Sequence, residues 1–487
     1  MSKIVLMRGF LAFSIGVSCA VLTLPLASPA TAAGAVAGPG VPGSTQSLPL
    51  APLGGSRAPG AASERGLAPQ TVRSFSLVGV VWDDPAAQLR GHVRVRTRAH
   101  ATGRWSGWQE LEAQNQDHGP DPGTGEGRSR RMRGSTAPLW VGASDGVQVW
   151  VRAEEAGSGA TRAPKLPDGL RVELVDPGQA PAEGAPAGSS DPAEEPDHPG
   201  MDAPYPAAGT EAIGSVVEGG LAPLNALGVP GPWKRPEASG EPEGSEDSAG
   251  AAGAMQSMRA KEPTAKVEKV GKAAAGDASE ERAKQPYVGP RPRIVSRAGW
   301  GADESLREPD FLYTDTVKAA FVHHTATGNN YSCSQAPSVI RSIYRYHVVS
   351  SGWRDIGYNF LVDKCGNIYE GRAGGVDKPV MGAHTLGFNS DTTGIAVIGT
   401  YTSTAPSAAA LDALAQLTAW KLGLFGVDPR AKTYLESAGG NLYPKGENVR
   451  LNVISGHRDG FATECPGRLL YGELGLVRTE AARYQGR

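Results

Sequence analysis

The residues best suited to chemistry lie in one stretch near the C-terminus, Ser455-Gly-His-Arg-Asp-Gly-Phe-Ala-Thr-Glu-Cys-Pro-Gly467. His457 and Cys465 offer an imidazole nitrogen and a thiolate sulfur, both good zinc ligands. The apolar run before them, Val449 to Ile454, reads as a buried strand. A His at a strand end and a Cys on the loop beyond can converge on one point. Pro466 and Gly467 fix a turn directly after the Cys. This is not a zinc-finger spacing, and two ligands do not make a site, so the remainder must come from upstream.

Five of the nine His lie in the C-terminal part: His323, His324, His347, His384 and His457. Val317 to His323 reads as a strand, and neighbouring strand residues face opposite ways, so only one of His323 and His324 can enter a shared site. The strand alone does not say which; the other is expected to be a hydrogen-bonded scaffold. His347 stands on the apolar face of a helical pattern over 338–350 and reads as a core residue.

Stepping outward, 290–487 mixes strand-like and helical runs, which predicts an α/β domain with a mixed central sheet flanked by helices. Residues 71–176 carry only short alternating runs, such as His92-Val-Arg-Val-Arg-Thr-Arg98, and predict an all-β sandwich or barrel. In that region Trp105 and Trp108 are expected to fill a small core, and the basic run Arg128 to Arg133 to be a solvated loop, with cell-wall contact through this β-domain the alternative use. Residues 34–70 and 177–289, rich in Pro, Gly and Ala, predict long disordered linkers. Residues 1–33 read as a secretory signal, with Lys3 and Arg8 before an apolar body, and no later run is long enough to span a bilayer. The mature chain is thus expected outside the cell, associated with the cell wall. Lys+Arg 48 against Asp+Glu 50 leaves no basic field for nucleic acid. Beyond Cys19 in the signal, three of the 4 Cys remain in an oxidising compartment. The economical arrangement joins Cys333 to Cys365 and leaves Cys465 to a metal; the alternative is a free buried Cys465.

At this point a resemblance enters. Ser296-Arg-Ala-Gly-Trp-Gly-Ala302, Val322-His-His-Thr325, Gly352-Trp-Arg-Asp-Ile-Gly-Tyr-Asn-Phe360, Tyr369-Glu-Gly-Arg372, Gly382-Ala-His384, Gly394-Ile-Ala-Val-Ile-Gly399 and Gly456-His-Arg-Asp through Thr463-Glu-Cys-Pro466 come in the order seen in the peptidoglycan recognition protein family. The domain resembles that family's zinc N-acetylmuramoyl-L-alanine amidases from about Ile294 to the C-terminus. The resemblance implies zinc ligands at His323, His457 and Cys465, with a fourth position open for water as in catalytic sites. It implies that Tyr358 and Thr463 assist catalysis, with Thr463 standing where some relatives carry Lys. It implies His384 as a substrate or transition-state contact, and Trp300, Arg372 and Asn389 as groove residues, Arg372 pairing with a stem-peptide carboxylate. Ala373 to Met381 and Arg430 to Val449 depart from the family pattern.

The function so implied is that of a secreted zinc amidase, cleaving the bond between the lactyl group of N-acetylmuramic acid and L-Ala. Its partners would be peptidoglycan or muropeptides. The rivals are a peptidoglycan-binding receptor without catalysis and a zinc peptidase acting inside the stem peptide. Family members that only bind typically lack a ligand, whereas His323, Tyr358, His457 and Cys465 are all present here.

Overall fold

A computed structural model of the protein describes residues 42–53, 64–113, 117–154, 165–179 and 287–487. The signal at 1–33 and nearly all of the linker at 177–289 lie outside the described residues. No helix among the described residues is long and apolar enough to cross a membrane.

The N-terminal region contributes eight strands: β1 (Ser44–Pro49), β2 (Ala51–Pro52), β3 (Glu64–Trp82), β4 (Gly91–Ala99), β5 (Gln109–Leu111), β6 (Gly134–Ser135), β7 (Leu139–Ala153) and β8 (Arg171–Asp176). They pair antiparallel in one sheet, ordered β1-β8-β3-β7-β4-β5 along its main path. The early half of β3 pairs with the late half of β7, and its late half also pairs with β8. Register shifts after Leu67, Thr71 and Phe75 interrupt the β3–β7 ladder. The two halves share one core, in which Val78, Val80 and Val172 meet Val93, Val149 and Val151.

Two expectations are corrected here. The segment 34–70 is not disordered linker throughout, because β1 pairs along its whole length with β8 and so begins the β-domain well before residue 71. The reason is non-local: a Ser/Pro-rich strand acquires its partner from more than a hundred residues downstream. Trp108 does not fill a core, since it is 46% exposed, and the Arg96 guanidinium lies over both Trp105 and Trp108.

The C-terminal region holds β9 (Ile294–Val295), β10 (Ala319–His324), β11 (Phe360–Val362), β12 (Ile368–Glu370), β13 (Thr392–Val397), the ribbon of β14 (Lys432–Glu436) and β15 (Asn448–Asn452), and β16 (Ile454–Gly456). Six of them form a mixed sheet ordered β16-β10-β13-β11-β12-β9. β16, β10, β13 and β11 run parallel, and β12 returns antiparallel to β11. The expected mixed α/β sheet is therefore present. The helix Ala408–Gly423, opened by the Ser407 side chain accepting the Ala410 N–H, covers one face with the C-terminal helix Leu474–Tyr484. The helix Ala336–Arg345 packs on the other face with Trp300, Leu361 and Ala396. Cys333 and Cys365 form a disulfide that ties the start of this helix to the β11–β12 turn.

The two described regions belong to one compact unit. Leu77, Val81, Trp140 and Val175 of the β-domain enter the same buried cluster as Ile340, Ile343 and Tyr346. The Tyr346 phenol donates to the Thr136 carbonyl at 3.1 Å, and the Ser350 hydroxyl donates to Glu173 at 3.1 Å. Gly79 lies against Tyr346, where a Cβ would come within 2.3 Å of the phenol oxygen.

Candidate metal centre

Parallel strands gather functional groups at their C-terminal ends, because the loops leaving those ends fan out over one edge of the sheet. His323 sits at the end of β10, and His457 follows β16, its neighbour in the sheet. Cys465 arrives on the next loop, fully buried. Its Sγ lies 3.8 Å from His323 Nδ1 and accepts the His324 backbone N–H at 3.4 Å.

The fourth member comes from the β-domain. His118 Nε2 lies 3.7 Å from Cys465 Sγ, and the ligand atoms of His118, His323, His457 and Cys465 all fall within 4.8 Å of one another. Each imidazole is oriented by a hydrogen bond from its other nitrogen. His118 Nδ1–H donates to the Asp117 carboxylate at 3.0 Å, and His457 Nε2–H donates to the Asp117 carbonyl at 3.1 Å. His323 Nε2 faces His384 Nδ1 at 3.3 Å and the Thr385 hydroxyl at 3.4 Å. Such outer contacts fix the tautomer so that the bare nitrogen points inward.

The donor set fits zinc. With Zn–N of about 2.0 Å and Zn–S of about 2.3 Å, a tetrahedral ion sets N and S roughly 3.5 Å apart, close to the separations found here. The buried His457 Nδ1 has no hydrogen-bond partner, as a nitrogen reserved for a metal would not. Burial, with His118 next in effect, pushes His457 down to about 3, and burial together with His457 holds His323 well below the usual imidazole range. Both rings are therefore neutral and ready to ligate. Burial raises the Cys465 thiol well above its usual range.

The segment carrying His118 fills the groove beside this centre. The Leu386 N–H donates to the Asp117 carbonyl at 2.9 Å. Asn389 Nδ2 donates to the Gly119 carbonyl at 2.8 Å and to Asp121 at 2.9 Å, and the Gly387 N–H reaches Asp121 at 2.7 Å. Arg372 grips Glu126 with both terminal nitrogens, at 2.9 and 3.0 Å. Asp117, Asp121 and Glu126 are all buried. The arginines of the basic run, Arg128 to Arg133, are exposed as expected of a solvated loop, whereas buried acids and backbone bonds pin the residues before it.

One sequence-chosen residue takes a place other than that expected. Trp300 is wholly buried, stacked edge-on against Tyr344 with its indole N–H donating to the Glu370 carbonyl, and so lies in the core, not the groove. His384 is also wholly buried, behind His323, and supports that ring. Asn389 caps the 384–389 turn, its Oδ1 accepting the His384 and Thr385 N–H groups, while its amide nitrogen faces the groove. Arg372 faces the groove as well. Tyr358 stands 5.6 Å from His323, ring centre to ring centre, and burial keeps its phenol protonated. The Thr463 hydroxyl accepts the Cys465 N–H at 3.2 Å. His324 points away from the centre and accepts the Tyr401 N–H at 3.3 Å. His347 accepts the Gly357 N–H at 3.2 Å and stacks on Trp353, as a core His does.

His118 was missed. The signal for it was slight: a carboxylate beside an imidazole, then turn residues, in Asp117-His-Gly-Pro-Asp-Pro122.

Comparison with known proteins places this site in a family. Residues 313–468 match the family described as N-acetylmuramoyl-L-alanine amidase, and residues 30–184 match one described as Rv3811 N-terminal galactose-binding domain-like. Over 184 residues the chain is 35% identical to peptidoglycan-recognition protein SC2 of Drosophila melanogaster, covering 37% of this chain and 84% of that protein. It is 32% identical over 194 residues to the human N-acetylmuramoyl-L-alanine amidase, covering 39% of this chain and 28% of that one. Among solved structures, Drosophila PGRP-LB aligns at 28% identity over 38% of this chain and 92% of that chain, with a TM-score of 0.30. The chain belongs to the peptidoglycan recognition protein and type 2 amidase family, and its β-domain is galactose-binding-like.

Proposed function

We propose that this protein is an exported zinc N-acetylmuramoyl-L-alanine amidase, hydrolysing the amide between the lactyl group of N-acetylmuramic acid and the L-Ala of the stem peptide. The observation that carries the reading is the convergence of His323, His457 and Cys465 into one buried nitrogen and sulfur cluster with Tyr358 beside it. Zinc held there would lower the pKa of a bound water to about 7 and polarise the scissile carbonyl.

The chain's own residues do the rest. His384 and Thr385 hold the His323 ring, and the His324 N–H steadies the sulfur. Tyr358, held as a neutral phenol, is a donor for the oxyanion that develops during attack. Thr463, accepting from the Cys465 N–H, keeps its own hydroxyl hydrogen to donate. Arg372 and the Asn389 amide provide a cation and a donor for the stem peptide once the groove is clear.

The test is mass spectrometry of muropeptides incubated with the zinc-loaded full chain and with its His118→Ala form. Release of stem peptide beginning at L-Ala, abolished by a chelator and by Cys465→Ser, is the expected result. Products cut within the peptide would establish the peptidase instead. Muropeptides that stay intact with both forms, yet bind, would establish a receptor.

A further inference from the structure

The structure assigns His118 as a fourth protein ligand of the metal centre, and we propose that the segment 117–133 of the β-domain is a built-in plug that keeps the site latent. The proposal rests on the amidase reading above and concerns the regulation of that same site. Three protein ligands leave a position for water, whereas four close it, which is the arrangement of structural zinc. His118 completes a set of three nitrogens and one sulfur. Its Nδ1–H is engaged by Asp117, which aims Nε2 at the centre.

The same segment satisfies the groove's polar groups. Asp121 takes the Gly387 N–H and the Asn389 amide, and Glu126 takes both arms of Arg372 and the Arg354 N–H. These are the donors an acidic peptide would need, so Asp121 and Glu126 stand where substrate carboxyl or carbonyl oxygens would sit. His457 Nδ1 is buried at the centre without a hydrogen-bond partner, facing Asp117 Oδ2 of the segment at 3.9 Å, which points to a cation there. The β-domain also packs on the amidase domain through Tyr346 and Trp140, so the plug acts at high effective concentration. Substrate must therefore displace a tethered competitor, and apparent affinity falls in proportion to the fraction of open molecules.

The experiment compares the full chain with His118→Ala and, separately, with Asp121→Asn/Glu126→Gln, which keeps His118 and the loop's size. Zinc affinity is read by competition with a chromophoric chelator, and stem-peptide release is measured beside it. His118→Ala is expected to weaken zinc binding roughly tenfold or more while raising the rate of release about tenfold or more at subsaturating muropeptide. Asp121→Asn/Glu126→Gln is expected to raise release, with far less effect on zinc. Unchanged zinc affinity in His118→Ala overturns the fourth ligand. Release equal to or below that of the native chain in both folded variants overturns the plug. If no form releases peptide while His118→Ala still weakens zinc binding, the fourth ligand stands and the amidase reading fails.

Discussion

The chemistry of the centre turns on a few protonation states. His323 and His457 are already neutral, whereas burial keeps the Cys465 thiol protonated. A thiol must lose its proton to ligate zinc. Zinc uptake near pH 7 is therefore expected to release about one proton per chain, which a weakly buffered indicator titration would read; Cys465→Ser should abolish that release. Tyr358→Phe is expected to lower kcat by roughly a hundredfold while leaving zinc affinity unchanged, and equal losses in both would contradict its role as a donor. His457 and Cys465 were legible in the sequence because their chemistry and spacing are local. His323 needed the family pattern to be chosen over His324, since a strand offers both faces. His118 was not legible, because what gives it meaning is a contact with residues more than two hundred positions downstream. Trp300 misled for the converse reason: a motif carries structural residues along with functional ones, and its packing against Tyr344 sets it in the core.

Elements bring these residues together, and their stability can be tested directly. The disulfide between Cys333 and Cys365 closes a loop with a sequence separation of 32. Replacing both by Ala is expected to cost roughly 3–4 kcal/mol by chain entropy, read as a fall in the denaturant midpoint. At the domain junction, Gly79→Ala is expected to destabilise by about 1–3 kcal/mol, because its Cβ would overlap Tyr346. Glu173, on β8, is held above the usual carboxylate range by burial, despite accepting from Ser47 and Ser350. A raised folded pKa means that the folded state binds the extra proton, so this contribution is present below the unfolded pKa and is lost as pH rises through the folded one. Glu173→Gln should therefore raise Tm more at pH 7 than at pH 4; an equal effect at both would show that the carboxyl titrates normally. The β-domain's strand pattern was readable from alternation, but β1 was not, because its partner β8 is remote and its composition is that of a linker.

At the scale of the molecule, the sequence reads as separate modules, whereas the described residues form one body with the metal centre at its seam. Docking buries Arg372 against Glu126, and breaking a buried pair by removing one partner is costly. The seam is also where zinc should stabilise: at a thousandfold excess over Kd, binding to the folded state alone adds about 4 kcal/mol. The measurement that bears most directly on the central claim is native mass spectrometry of the purified full chain, with metal counted per molecule. One zinc in the native chain, absent from Cys465→Ser, is the expected result. A chain that takes up no zinc, or that keeps it fully without Cys465, would contradict the centre and the amidase built upon it.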